Sequence, residues 1–385
     1  MNSIVIIGGG LAAYTLAREL RKLDKSVALA MVMADDGAFY SKPMLSNALA
    51  QKKTAADLAI SSVDKMAADL KADIRPLTRV TAIDRAARRI NLTGPQGETV
   101  LDYGRLVLAL GADPIRLPLA GDGAEDVLSV NDRADYARFR SALAGKRRVA
   151  ILGAGLIGCE FANDLADAGF APCVFDVAPQ PLGRLLPTGA GRYLADKLAA
   201  AGIQWRFGCG ASTVTRHGDS LTLAYGEGRE EDFDLVLSAV GLRPRTELAR
   251  QAGLTINRGI VTDRLLRSSD PLIFALGDCA EVAGLTLPFV MPLMQGARAL
   301  AATLLGTDKA VAYPAMPVVV KTPACPTVVS PPPAGAKGEW REDISASGVR
   351  AIFEDTAGAP LGFALLGDAV GEKQALAAKL PAWLT

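Results

Sequence analysis

Residues 4–7, Ile-Val-Ile-Ile, form a short, wholly apolar and β-branched run, the pattern of a central parallel strand covered on both faces. A glycine cluster ends it. Apolar residues then recur at helical spacing at Leu11, Leu16, Leu20 and Leu23, and residues 27–32 return to an extended apolar run. The pattern predicts β-α-β. The same unit recurs at 149–152, followed by glycines, a helix through Leu165 and a second strand at 173–175. Apolar strands at 235–241 and 273–278 end in Ala-Val-Gly and Gly-Asp, which predicts returning strands of sheets already begun. The proline-rich stretch 314–333 excludes a regular helix and predicts an edge strand and linker. After it, 349–353 and 360–366 flank the turn signal Asp355-Thr356-Ala357-Gly358, and a short helix is predicted around 372–379. The fold class is therefore α/β, with two Rossmann-like dinucleotide-binding units and a small C-terminal α+β domain.

Length agrees, since 385 residues exceed one ordinary core and suit two or three. The formal charge of +1 gives no global attraction for nucleic acid or an anionic membrane, so any basic docking face has to be local. Cys159, Cys173, Cys209, Cys279 and Cys325 form no CxxC pair, which points to a reducing, cytoplasmic setting. Met1-Asn2-Ser3 leads straight into the first motif, so no leader is expected. The weakly charged stretch 282–297 is broken by Gly284, Pro288, Pro292 and Gln295, and falls short of the ~20 apolar residues of a spanning helix.

Gly8-Gly9-Gly10-Leu11-Ala12-Ala13 fits GxGxxA after a strand and at a helix start. Gly8 permits the tight turn, Gly10 lets backbone approach a pyrophosphate, and small Ala13 lets helix and strand pack closely. Gly153-Ala154-Gly155-Leu156-Ile157-Gly158 repeats the motif with all three glycines. Two dinucleotides in one chain point to a flavin and a nicotinamide, because a hydride must pass between two bound carriers. Asp176 follows the strand at 174–175, where a carboxylate accepts hydrogen bonds from ribose hydroxyls, and Val177 and Ala178 offer no cation for a 2′-phosphate. NADH is favoured over NADPH. Glu160 is expected in the first turn of the second fingerprint helix, either as a contact to the nicotinamide carboxamide or as an ordinary first-turn glutamate.

The segments IIGGGLA (6–12), YSKPMLS (40–46), GAGLIGCEFAN (153–163), SAVGLRPRT (238–246), LGDCAE (276–281) and VKTPACP (320–326) resemble the rubredoxin reductases. YSKP and VKTPACP are the specific blocks; the others are shared with the wider two-dinucleotide flavoprotein reductases, ferredoxin reductases included. The resemblance implies FAD on the first fingerprint, NADH on the second, and an FAD domain (1–113 and 246–320) interrupted by the NADH domain (114–245), before a C-terminal domain at 321–385. It implies that Asp278 of the Gly277-Asp278 pair bonds the flavin ribitol and that Lys42 contacts the FAD phosphate and ribose region. Val80 and Val290 would give backbone contacts, and Lys321 would lie near the isoalloxazine, where a cation stabilises reduced flavin. The strand end Met31-Val32-Met33 carries no acid and the acids come later, at Asp35 and Asp36, which leaves open whether either, with Asp35 the candidate, reaches the FAD ribose. His217 and Trp205, Trp340 and Trp383 read as surface and packing residues.

Disulfide reductases need a CxxC, and flavin peroxidases and coenzyme A disulfide reductases need a cysteine near the flavin, yet no cysteine precedes Cys159. Electrons must leave without a protein thiol. The resemblance implies hydride transfer from NADH to flavin N5, then single electrons to two rubredoxins through a small transient contact. Rubredoxins are acidic, so a locally basic face is expected. The alternatives are a ferredoxin or flavorubredoxin as acceptor, or a redox-responsive binding module like the apoptosis-inducing-factor relatives.

Overall fold

The computed structural model describes residues 3–385; Met1 and Asn2, on which the reading of a leaderless start rests, lie outside the described residues. The first sheet is parallel, in the order Ile273–Ala275, Arg105–Leu108, Ile4–Ile7, Leu29–Val32, Asp73–Arg75. Its central strand is buried at every position, in a core to which the helices Leu11–Leu23 and Val290–Leu304 and the meander side chains Ile83, Ile90 and Leu92 all contribute. The helix Leu11–Leu23 turns Ala13, Tyr14, Leu16, Ala17 and Leu20 into the core, each large apolar side chain contributing about 1.5–3 kcal/mol of burial. Leu29–Val32 begins two residues later than the apolar run suggests, because the Asp24 carboxylate takes the Ser26 and Val27 N–H groups (2.6 and 3.0 Å) and holds a turn there.

The second sheet repeats the plan with Gln204–Phe207, Ala171–Asp176, Arg148–Leu152 and Leu235–Ser238, all parallel. Both returning strands predicted from sequence, Ile273–Ala275 and Leu235–Ser238, close their respective sheets. The chain enters and leaves this domain through one antiparallel pair, Ala112–Pro114 with Leu242–Pro244. Two antiparallel meanders were not legible as such: Arg79–Asp84, Arg89–Gly94, Gly97–Asp102 and Ala211–His217, Ser220–Tyr225, Arg229–Phe233. The outer strands Arg79–Asp84, Gly97–Asp102 and Arg229–Phe233 are largely exposed. Only the central strands alternate, with Ile90 and Leu92 in one and Leu221, Leu223 and Tyr225 in the other turned inward.

The C-terminal sheet has the order Val318–Val320, Thr327–Ser330, Pro360–Gly367, Gly348–Glu354, Glu339–Ile344, all antiparallel. Within the proline-rich stretch only Val318–Val320 is an edge. Thr327–Ser330 is an interior, fully buried strand, which corrects the expected edge strand and linker; the prolines sit in the flanking turns, where they cost no ladder bond. This sheet therefore starts before Lys321, and the final residues leave it again, since Leu384 pairs with Tyr313 and Trp383 packs on the first core. A second core runs without interruption through the second domain, one face of the C-terminal sheet (Val320, Val329, Leu366) and Leu45, Ala48 and Leu49 of the first domain. No helix among the described residues is long and apolar enough to cross a membrane.

Candidate functional site

Gly8 holds φ +136°, and a Cβ there would run into the Ala109 carbonyl oxygen, so only glycine allows the strands to approach this closely. Gly153 repeats the device at φ +103°, with its absent Cβ placed 2.7 Å from the Ala239 carbonyl oxygen. Beside the second glycine of each turn, Gly10 and Gly155, nothing lies within 4 Å of a Cβ position. The third position is tight: Ala13 is fully buried, and a side chain on Gly158 would strike the Gly153 carbonyl. Neither helix has a side-chain cap or an acid in its first turn. Free N–H groups and the positive ends of two helix dipoles, the first at Leu11 and Ala12, thus face open space that fits a diphosphate.

Four segments converge on the first turn. A Cβ on Gly9 would lie 2.7 Å from Asp35 Oδ1, whereas Asp36 points away to Arg133 at 2.8 Å, so Asp35 is the acid beside the fingerprint. Burial pushes its carboxyl up from the ordinary range, partly offset by the Gly37 N–H at 3.0 Å. Leu77 N–H and Thr78 N–H donate to the Asp35 and Met33 carbonyls, laying the start of the strand that carries Val80 alongside. Gly277, at φ +80°, would put a Cβ 2.9 Å from Ala12, bringing Asp278 to the same region. Burial pulls the Lys42 ammonium below its usual range while neighbouring Asp278 pushes it back up. Val290 is the first residue of the helix Val290–Leu304, another start without a side-chain cap.

Sequence reasoning missed Arg133, from the second domain. It opens the helix Arg133–Ala142, its guanidinium lies 5.7 Å from the Tyr40 ring centre, and only Nη2 is bonded, to Asp36. Nε and Nη1 are buried and have no partner among the described residues. Buried orphan donors are costly, and an anion beside Lys42 and the first turn would satisfy them. The only signal was an arginine following a helix-capping aspartate, which is too common to select.

At the second turn the Asp176 carboxylate accepts the Ala154 and Ala178 N–H groups (2.6 and 2.7 Å), which fixes it beneath the glycines. Glu160 corrects the sequence reading: it is the fifth residue of the helix Leu156–Asp167, in its second turn, and only 5% exposed. Its carboxylate accepts from Ser46 Oγ (2.6 Å) and the Lys321 N–H (3.0 Å) and pairs with Lys321 Nζ. Lys321 is therefore paired, with 26% of its side chain still exposed. Three domains meet on this one helix, since Asn163 accepts the Ala324 N–H (3.1 Å) and Asp164 those of Leu49 and Ala50.

All five cysteines are buried and unpaired. Burial raises the thiols of Cys159, Cys173, Cys279 and Cys325, Cys279 to about 11 and Cys173 to about 12, so none of these four offers a thiolate nucleophile. His217 ends an exposed hairpin strand. Residues 310–380 hold six Lys and Arg against seven Asp and Glu, so this region as a whole carries no positive excess.

A family model described as pyridine nucleotide-disulphide oxidoreductase matches residues 2–301. The chain belongs to that family. A second model, a rubredoxin binding C-terminal domain, matches residues 310–380 of this pyridine nucleotide-disulphide oxidoreductase. The chain is 48% identical to a rubredoxin-NAD(+) reductase of Alcanivorax borkumensis, covering 99% of each. It is 40% identical to a nitric oxide reductase FlRd-NAD(+) reductase of Aeromonas hydrophila, over 99% of this chain and 97% of the relative. Among solved structures, a ferredoxin reductase from Rhodopseudomonas palustris superposes with a TM-score of 0.88 at 26% identity, covering 99% and 96%. Membership in this oxidoreductase family brings use of a flavin and NAD(H).

Proposed function

We propose that this chain is an FAD-dependent NADH:rubredoxin oxidoreductase, converting NADH and two oxidised rubredoxins into NAD+, a proton and two reduced rubredoxins. The observation that carries the reading is the pairing of two dinucleotide turns with a C-terminal domain matched by the rubredoxin-binding model. A bound flavin supplies the two-electron acceptor and the single-electron donor. The first turn, Gly8 to Ala12, takes the FAD diphosphate, with Arg133 and Lys42 as its cations, Asp35 at the adenosine ribose, Gly277 and Asp278 at the ribitol, and Val80 and Val290 through their backbones. Gly153, Gly155 and Gly158 take the NADH diphosphate, and Asp176 its ribose. The Glu160–Lys321 pair sits where the three domains meet, beside the reacting rings. No side chain has to act as acid or base, since hydride transfer needs alignment above all.

A flavorubredoxin is the second reading, supported by the 40% identical Aeromonas relative. Purified protein should carry FAD and reduce rubredoxin with NADH faster than ferredoxin, flavorubredoxin or cytochrome c. Bound FMN in place of FAD would refute the cofactor reading, and a preference for ferredoxin the acceptor reading.

A further inference from the structure

Glu160, Asn163 and Asp164 share one face of the helix Leu156–Asp167, at spacings of three and four residues. All three are buried, and all three hold groups of other domains: Glu160 and Asn163 the segment 321–324, Glu160 and Asp164 the segment 46–50. Asp164 touches neither fingerprint turn. Its carboxylate, 3% exposed, accepts the Leu49 N–H at 2.9 Å and the Ala50 N–H at 3.0 Å. These two amides follow Ala48, which caps the 3-10 helix Lys42–Asn47 that begins with Lys42 and contains Ser46. Burial pushes the Asp164 carboxyl up from its ordinary range, against the smaller opposing pull of the Ala50 and Leu49 N–H groups.

We propose that Asp164 is a positioning residue, a pin by which the NADH-domain helix fixes the segment carrying Lys42 and Ser46 and so sets how the two nucleotide domains face each other. The inference rests on the two-nucleotide reading above. Hydride transfer requires reacting atoms about 3–3.5 Å apart, and a shift of about 1 Å costs roughly a hundredfold in rate. Asp164→Asn puts an amide where both partners are donors, leaving one N–H facing another N–H.

The test uses the full-length, flavin-loaded protein and reads amide hydrogen exchange, NADH dissociation constant and the pre-steady-state rate of flavin reduction. Wild type comes first: failure to bind flavin or to be reduced by NADH would count against the two-nucleotide reading and not against the pin. In Asp164→Asn, exchange at Leu49 and Ala50 should rise, and flavin reduction should slow roughly tenfold to a hundredfold. The NADH dissociation constant should stay within about twofold, because Gly155 and Asp176 are untouched. Asp164→Ala, which removes both acceptors, should change both readouts in the same direction. An unchanged reduction rate despite lost amide protection overturns the proposal, as does failure of both variants to accumulate as folded flavoprotein, which would make Asp164 structural only.

Discussion

Lys42 joins stability to cofactor chemistry at the scale of one residue. Burial holds its pKa below the ordinary lysine value, so its positive charge is lost at lower pH than that of an exposed lysine. If that charge holds a phosphate, flavin retention weakens as pH rises on the alkaline side. Flavin remaining after gel filtration across a pH series should show this, and Lys42→Met should flatten the dependence. Arg133→Ala should weaken flavin binding by roughly tenfold, because the bound anion loses two buried donors; unchanged affinity would mean that Nε and Nη1 do not bond the flavin. Glu160→Gln leaves the Lys321 ammonium beside a neutral amide, for a loss of about 1–3 kcal/mol, since the lysine keeps some solvent contact. A denaturant midpoint shifted at constant slope would record it. Alkylating reagents should leave the native protein active, its thiols being buried.

The turn-and-helix units are where sequence reading was strongest. The apolar run 4–7 and the leucine spacing after it gave the first strand and the helix bounds 11–23 as observed, because a buried parallel strand and an amphipathic helix each leave a period in the chain. Gly158→Ala tests the second unit alone. The added methyl meets the Gly153 carbonyl, so the helix must shift, at about 1–3 kcal/mol, and the NADH KM should rise roughly tenfold while flavin is retained. Loss of flavin instead would assign the nucleotides the other way round. The meanders and the interior strand Thr327–Ser330 left weaker traces, in one case because only the central strand of each meander alternates while its neighbours are largely exposed, and in the other because prolines on either side disguise a four-residue strand.

For the whole molecule, charge distribution decides how an acceptor is met. The rubredoxin-binding region has no excess of positive charge, and Lys321 within it is already paired. Rubredoxin reduction should therefore respond to salt by less than about threefold more than reduction of a small dye. A steep fall would place a basic face on one of the two nucleotide domains.

The glycine turns, the acid at 176 and the absence of a CxxC were determined by sequence alone, since each is a local requirement written in adjacent residues. Only the tertiary structure placed Asp35 and not Asp36 beside Gly9, moved Glu160 out of the first turn into a pair with Lys321, and brought Arg133 to Asp36 and Asp164 to Leu49. Those placements depend on packing between segments more than a hundred residues apart, as Glu160 with Ser46 and Asp164 with Leu49 show, and no local period or motif encodes such a contact.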